Sequence, residues 1–463
     1  MPKLTEFDGI VIGSGQSGGP LSSAFARAGW KMALIEKAEI GGTCVNVGCT
    51  PTKTMIASAR VAYVVSRAKE YGLNISKVSV NLNKVRDRKR KIVNMFRSGG
   101  ERGLANAKVE LFRGQASFLD SKTIEIELND GSKQTLTAKK IFINTGTRNF
   151  KPNIEGLDKV NYLDSTSIME LNKIPKHLIV VGGGYIGLEF GQMFRRFGSK
   201  VTILHQGRQL LDREDSDIAE GVAKILEDEG INIQLEALVK KVLNSSKDKI
   251  KVETTINGQT KSFTGSHLLI ATGRVPESNE LNLKAAAVKT NPRGFIKVNS
   301  RLETTAKNIY AIGDVNGAPA FTHISYDDFR ILRTNLLNNG AANTNGRLVP
   351  YTVFIDPQLG RVGITEKEAK QQGLNYRVGK LPMTHVARAL EMDETRGFMK
   401  VIVDAKTELI LGCAILGIEG GEVMSVLQMA MLSKIKYSKI RDAVFAHPLL
   451  AESLNNLFMA MDR

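Results

Sequence analysis

A run of apolar residues, a glycine-rich turn and a helix of small residues open the chain in "FDGIVIGSGQSGGPLSSAFARAG", where Gly13, Gly15 and Gly18 are spaced G-x-G-x-x-G. About 170 residues later "HLIVVGGGYIGLEFGQMFRRFG" repeats the layout with Gly182, Gly184 and Gly187. Each unit continues into a second strand-like run, "KMALIEK" and then "KVTILHQ". Each later reaches an apolar strand ending in Thr-Gly, "IFINTGT" at 141–147 and "LLIATGR" at 268–274. Strand, turn and helix repeated in this order predict an α/β protein with two Rossmann-like, three-layer dinucleotide-binding domains. From about residue 346 the pattern changes to alternating runs such as "PYTVFID", "FMKVIVDA" and "ILGCAILG", followed by helices ending in "AHPLLAESLNNLFMA". Those runs predict antiparallel strands in a separate C-terminal α+β domain.

Each glycine of the repeated motif has a physical task. The first allows the tight turn, the second lets the backbone approach a pyrophosphate, and the third lets helix and strand pack closely. The phosphates then meet free N–H groups at the helix N-terminus. Glu36 ends the second strand of the first unit, where a carboxylate accepts hydrogen bonds from a ribose 2′-hydroxyl, as in FAD or NAD. In the second unit that position is His205, with Arg208 and Arg213 following. Cationic side chains there suit a 2′-phosphate, so NADPH is expected over NADH, which stays possible. Further on, "NIYAIGDVNG" ends an apolar strand at Asp314, a carboxylate placed to bind a ribityl hydroxyl.

With 463 residues, 42% of them hydrophobic and 24% charged, the chain has the make-up of a globular protein of about three domains. It starts without a signal-like layout, and its most apolar segment, "LIVVGGGYIGLEFG", is broken by glycines and Glu189. A soluble, cytoplasmic protein is expected, with no membrane partner. The net charge of +17 is large but spread along the chain. The densest basic run, Arg86 to Lys91, lies in a helix-like stretch with Val85, Ile92, Val93 and Phe96 as its apolar positions. It is expected to be a solvated face rather than a nucleic-acid site.

Only three cysteines are present, too few for a secreted disulfide framework. Cys44 and Cys49 sit in "GGTCVNVGC". A disulfide needs Cα atoms roughly 4.4–6.8 Å apart, and residues five apart in an ideal helix lie about 8.6 Å apart. A bond between them therefore requires a break in the helix, which Gly48 and Pro51 can supply. No metal is expected, because no second Cys/His cluster stands at ligand spacing. The residues alone leave two readings: a pair of independent buried thiols, or a redox couple beside a bound flavin. The second accounts for more of the glycine-rich surroundings. Cys413, in "LGCAILG", reads as a small hydrophobe in a buried strand.

"GGTCVNVGCTPTK" closely resembles the active-site signature of the class I pyridine nucleotide-disulfide oxidoreductases, FAD flavoprotein disulfide reductases. The resemblance covers essentially the whole chain, since both glycine motifs, both Thr-Gly strands, "AIGD" and "AHPLLAE" occur in the family's order. "FTHISYDDFRI" and "THVARALEMDETRGFMK" make it most similar to the mercuric-reductase-like branch, which includes copper reductases linked to reactive-chlorine resistance. The resemblance implies an FAD-binding domain over 1–150 that resumes over 276–345. It also implies an NAD(P)-binding domain over 151–275 and a dimerisation domain over 346–463.

The resemblance also implies roles at matching positions. Cys49 would be the flavin-proximal sulfur that forms a charge-transfer thiolate, and Cys44 the interchange thiol that attacks substrate. Lys53 would stand near the flavin and pair with Glu189, and Tyr185 would gate the nicotinamide pocket. Gly42, Thr43, Ala116, Thr145, Gly146 and Gly273 complete the expected cofactor contacts. His447 and Glu452 would form an acid–base dyad that reaches the disulfide of the partner subunit in a homodimer. An imidazole held by a carboxylate suits the proton exchange a thiol requires near neutrality. Electrons would run from NADPH through FAD to the Cys44–Cys49 disulfide, then to a disulfide, a soft metal ion or another oxidised acceptor.

Two departures narrow this. Mercuric reductases carry a further cysteine pair near the C-terminus, whereas this chain ends "NNLFMAMDR"; mercury is not expected as the physiological substrate. His205, in place of an acidic residue, argues against the NAD-linked lipoamide dehydrogenases. The alternatives are nonetheless mercuric reductase or dihydrolipoamide dehydrogenase activity, or a flavin-bearing interaction protein with a basic surface.

Overall fold

The computed structural model describes residues 5–461, apart from 77, 247 and 248. The chain begins β1 (Thr5–Ile12), α1 (Gly18–Arg27), β2 (Met32–Glu36), α2 (Gly42–Asn46), α3 (Cys49–Ser66) and α4 (Leu82–Asn106). It continues through β3 (Glu110–Phe118), β4 (Thr123–Leu128), β5 (Lys133–Ile143) and β6 (Thr147–Asn149). The second repeat runs β7 (His177–Val181), α5 (Tyr185–Phe197), β8 (Lys200–Leu204), α6 (Ser216–Asp228) and β9 (Asn232–Gln234). The strands β10 (Leu238–Ser246), β11 (Lys249–Ile256), β12 (Gln259–Gly265) and β13 (His267–Ile270) follow. A return segment holds β14 (Arg274–Pro276), β15 (Ile309–Ala311) and α7 (Thr322–Leu337).

The last segment contains β16 (Tyr351–Val353), β17 (Gln358–Gly363), α8 (Glu366–Gln371), β18 (Tyr376–Pro382), α9 (Ala387–Glu391), β19 (Phe398–Asp404) and β20 (Ile410–Gly417). It ends with α10 (Gly420–Leu432), α11 (Tyr437–Arg441) and α12 (Ser453–Met459). Residues 1–55, 83–150 and 273–347 form one compact unit, and 56–82, 151–272 and 348–463 a second.

In the first unit β3, β2, β1, β5 and β15 pair in parallel, in that order, and β4 pairs antiparallel with β3 and β5. Strands buried on both faces must read as apolar runs, and Met32–Glu36 is buried at every position. In the second unit the parallel order is β13-β7-β8-β9. This matches β5-β1-β2-β3 of the first, so the repeat of motifs is also a repeat of topology. A three-stranded antiparallel sheet, β10-β11-β12, stands beside it in sequence. The C-terminal segment folds as an antiparallel sheet ordered β16-β17-β20-β19-β18, whose apolar face packs against Val423, Leu427, Leu457 and Phe458 of α10 and α12. Cys413 is part of that core, 1% exposed.

Most of the basic run on α4 is the expected solvated face, with Arg88, Arg90 and Lys91 exposed and Val93 buried, but two positions depart from it. Lys89 is 3% exposed whereas Phe96 is 52% exposed, and Arg88 donates to the backbone oxygen of Thr54 at 2.8 Å. Long cationic side chains lay apolar stems along a neighbour while their heads find oxygens, so the face is not set by hydrophobicity alone. Among the described residues no helix is long and apolar enough to cross a membrane.

A buried ion cluster ties α6 to the C-terminal sheet within the second unit. Lys400, 2% exposed, meets Asp215 and Asp217 at 3.0 Å and Glu366 at 2.7 Å. Burial pushes the Asp215 and Asp217 carboxyls up. For Asp215 the N–H groups of Lys367 and Glu366 with Lys400, and for Asp217 the ammonium groups of Lys380 and Lys400, outweigh it and hold both below the usual value. Carboxylates with lowered pKa stabilise the fold above the ordinary value near 4 and lose that contribution as pH falls through the lowered one. Lys400→Met should therefore cost about 3 kcal/mol at neutral pH by leaving carboxylates uncompensated. Thermal unfolding should show the gap to wild type narrowing as the pH is taken from 7 to below 4.

Candidate active site

The first glycine turn is closed by backbone approach. Gly13 has φ +98°, and a β-carbon on Gly18 would lie 2.1 Å from the Gly13 oxygen. Asn144, directly after β5, anchors it: its Oδ1 accepts from the Gly18 N–H at 2.9 Å, and its Nδ2 donates to Ser17 Oγ and to the Ile312 oxygen, both at 2.9 Å. Glu36, at the end of β2, accepts from the N–H and hydroxyl of Ser14 through Oε2, at 2.8 and 2.7 Å, and from the Ala38 N–H through Oε1. Asp314 lies in the turn after β15, where burial pushes its carboxyl up against the opposing pull of Arg274. Asp328 of α7 holds that turn by accepting from the Gly313 N–H at 2.8 Å. Ala116 has its side chain in the core, 2% exposed, so only its backbone is left for a cofactor.

The cysteine loop sits on this turn. Gly41 and Gly42 both have positive φ, and a β-carbon on Gly42 would come within 2.8 Å of Gly15 Cα. Cys44 lies in α2 and Cys49 starts α3. Between them Val47 leaves helical geometry, and a β-carbon on Gly48 would lie 2.7 Å from the Thr43 oxygen. The helix is thus broken where a disulfide would need it to be. Cys49 is exposed and Cys44 half-buried. Hydrogen bonding with Cys49 and then burial push the Cys44 thiol far up. Cys49 Sγ is 3.4 Å from the hydroxyl of Thr322, the first residue of α7, whose N-terminus favours a thiolate. Lys53 is half-buried one turn along α3.

In the second unit Gly182 has φ +120°, and a β-carbon on Gly187 would lie 2.1 Å from its oxygen. His205 is 7% exposed; its Nδ1 accepts from the Gly183 N–H at 3.1 Å, and its Nε2 lies 3.1 Å from Asp212 Oδ1. The Nδ1 of His205 is thus engaged by the backbone of the turn. Arg208 is 92% exposed, with its Nε 3.5 Å from Glu236. Tyr185, 37% exposed, starts α5 next to Gly184, where an added β-carbon meets nothing within 4 Å. Glu189, 3% exposed, accepts from the Phe354 N–H at 2.9 Å. Lys53 and Glu189 belong to different units. Near the C-terminus of the chain, His447 Nδ1 meets Glu452 Oε2 at 2.9 Å on an exposed ring.

Residues 7–328 match the pyridine nucleotide-disulphide oxidoreductase family, and residues 349–458 match its dimerisation domain. This chain belongs to that family. It is 39% identical over 460 residues to the probable pyridine nucleotide-disulfide oxidoreductase RclA of Escherichia coli K12, covering 98% of this chain and 99% of that one. It is 35% identical over 461 residues to the mercuric reductase of Bacillus cereus, covering 99% and 72%. The solved Cu(II) complex of the HOCl-induced flavoprotein disulfide reductase RclA from Escherichia coli superposes with a TM-score of 0.90 at 38% identity, covering 98% and 99% of the two chains. Members of the pyridine nucleotide-disulphide oxidoreductase family are FAD-dependent and use NAD(P)H, and this chain is an oxidoreductase of that kind.

The residues fit both cofactors. Thr145 Oγ1, beside the first glycine turn, is buried without a hydrogen-bond partner among the described residues. The second turn is open at Gly184. Sequence reasoning missed Asn144, Thr322, Asp328 and the Ser17–Ser325 hydroxyl contact of 2.6 Å. Only Asn144 carried a local signal, as the polar residue between an apolar strand and Thr-Gly. Asn144→Ala would leave the Gly18 N–H and Ile312 oxygen unpaired, at about 1–3 kcal/mol each. It should weaken FAD retention about tenfold or more, read by ultrafiltration of the yellow protein, and lower the thermal midpoint.

Proposed function

We propose that this chain takes electrons from NADPH into the Cys44–Cys49 pair and delivers them to Cu(II) or a comparable soft metal ion, with small disulfides as the second acceptor class. The observation that carries this is the thiol pair itself. The two sulfurs flank a helix break, Cys49 beside the first residue of α7, and Gly42 of their loop lies against Gly15 of the first glycine turn. Bound FAD supplies two-electron transfer between a reduced nicotinamide and a disulfide. Gly13, Gly15, Gly18, Gly42, Thr43, Glu36, Thr145, Gly146 and Asp314 would hold it, and Lys53 would stand beside it. The relative solved with Cu(II) favours the metal acceptor. One dithiol reduces two Cu(II) to two Cu(I), forming the disulfide and releasing two protons. Thiolates are the ligands that favour Cu(I).

Cys44, its thiol pushed up by Cys49 and by burial, needs a base before it can bind metal or attack a disulfide. His447 of the partner subunit, oriented by Glu452, is the proposed base. A homodimer is supported by the matched dimerisation domain and by apolar side chains around His447, Val444 fully exposed and Leu449 52% exposed. The domain division of 1–150 with 276–345, 151–275 and 346–463 is retained in this reading. A cytoplasmic location, with reduced thiols and NADPH at hand, agrees with it. NADPH selectivity is assigned to Arg208 and is expected to be modest, because Asp212 and Glu236 stand on the same rim.

The test follows NADPH-dependent Cu(II) reduction with a Cu(I)-specific chelator. Cys44→Ser and Cys49→Ser should each lose about 100-fold or more, and His447→Gln about 100-fold. Equal rates in wild type and both cysteine variants would mean the thiols do not carry the reaction. Arg208→Ala should raise KM for NADPH about tenfold, the scale of one charge-assisted contact, while KM for NADH stays unchanged.

A further inference from the structure

Asn46 lies between the two cysteines, and its amide is fully engaged. Nδ2 donates to the backbone oxygens of Ile40 and Gly42 at 3.0 Å and contacts that of Glu39 at 3.2 Å. Oδ1 accepts from Arg97 of α4 twice, from Nε at 3.0 Å and Nη2 at 2.9 Å. A guanidinium only donates, so the amide orientation is fixed by chemistry. Arg97 Nη1 also lies 3.4 Å from Glu39. Nine residues earlier on α4, about 13 Å along the axis, Arg88 donates to the Thr54 oxygen of α3. One helix thus grips both cysteine-bearing helices, through Arg88 of the basic run and Arg97 beyond it.

We propose that Arg97, acting through Asn46, is a positioning residue that keeps Cys44 in register with Cys49 when the bond between them is open. The inference rests on the redox-couple reading above. α2 is five residues long, too short to persist unaided. With the disulfide closed, a covalent bond ties it to α3. With the dithiol, non-covalent contacts hold it, and the Arg97–Asn46 pair joins it to a 25-residue helix. Loosening that pair lowers the effective concentration of one sulfur at the other, so the disulfide becomes easier to reduce.

The experiment equilibrates the FAD holoenzyme with oxidised and reduced glutathione, following enzyme dithiol + GSSG ⇌ enzyme disulfide + 2 GSH, and quantifies free Cys44 and Cys49 by alkylation and mass spectrometry. Arg97→Met should lower the equilibrium constant about tenfold, about 30 mV for two electrons. Arg97→Lys keeps charge but cannot donate from two nitrogens of a planar fork. It should fall between wild type and Arg97→Met, and it serves as the milder variant should Arg97→Met not retain FAD. Asn46→Ala should match Arg97→Met, and the double variant should be no worse than either, the signature of residues acting through one another. An unchanged constant in Arg97→Met, or single effects that multiply in the double variant, overturns the inference and leaves the redox couple standing. A wild-type protein that forms no reversible disulfide overturns the couple, and the inference with it.

Discussion

The constraint on which this site depends is the absence of a β-carbon at Gly42. A methyl group there would sit 2.8 Å from Gly15 Cα, so the cysteine loop can lie on the phosphate-binding turn only as bare backbone. Gly18 imposes the same condition inside the turn, against the Gly13 oxygen. Asn144 binds the Gly18 N–H and the Ile312 oxygen at once, which ties turn, β5 and the return segment together. Thr322 brings the start of α7 to Cys49, and Ser325 and Asp328 on the same helix hold Ser17 and Gly313. The loop that carries Cys44 and Cys49 is thereby fixed to the first glycine turn and to α7.

The two repeats solve one backbone problem with different side chains. In the first, Glu36 accepts the Ser14 N–H; in the second, His205 accepts the Gly183 N–H. Where the first has Asn144, the second has Ala271. The first turn is buttressed from β2, β5 and α7, while the second leaves Gly184 open and Tyr185 partly exposed. A turn braced on three sides suits a cofactor retained through many turnovers. A turn with an open mouth suits a nicotinamide that enters and leaves.

Features set by neighbours in sequence were legible from the sequence. The glycine spacing, the strand ends at Glu36 and Thr145-Gly146, the antiparallel C-terminal sheet and the helix break at Gly48 all follow from local steric and periodic rules. Features set by distant segments were not. Cys49 and Thr322 are 273 residues apart, and Ser17 and Ser325 are 308 apart; no short-range pattern announces such pairs. The contact of His205 with the Gly183 N–H and its burial are likewise set by the folded turn and not by residue type. On helix α4 the apolar pattern fails at two positions, Phe96 being exposed and Lys89 buried.

The central claim is that one chain holds two redox centres in series, a flavin and the Cys44–Cys49 couple. Anaerobic reductive titration of the FAD-loaded protein measures this directly by counting electrons. Wild type should accept about four electrons per chain and Cys49→Ser about two, since a flavin and a disulfide each take two. Uptake of about two electrons by both proteins would contradict it.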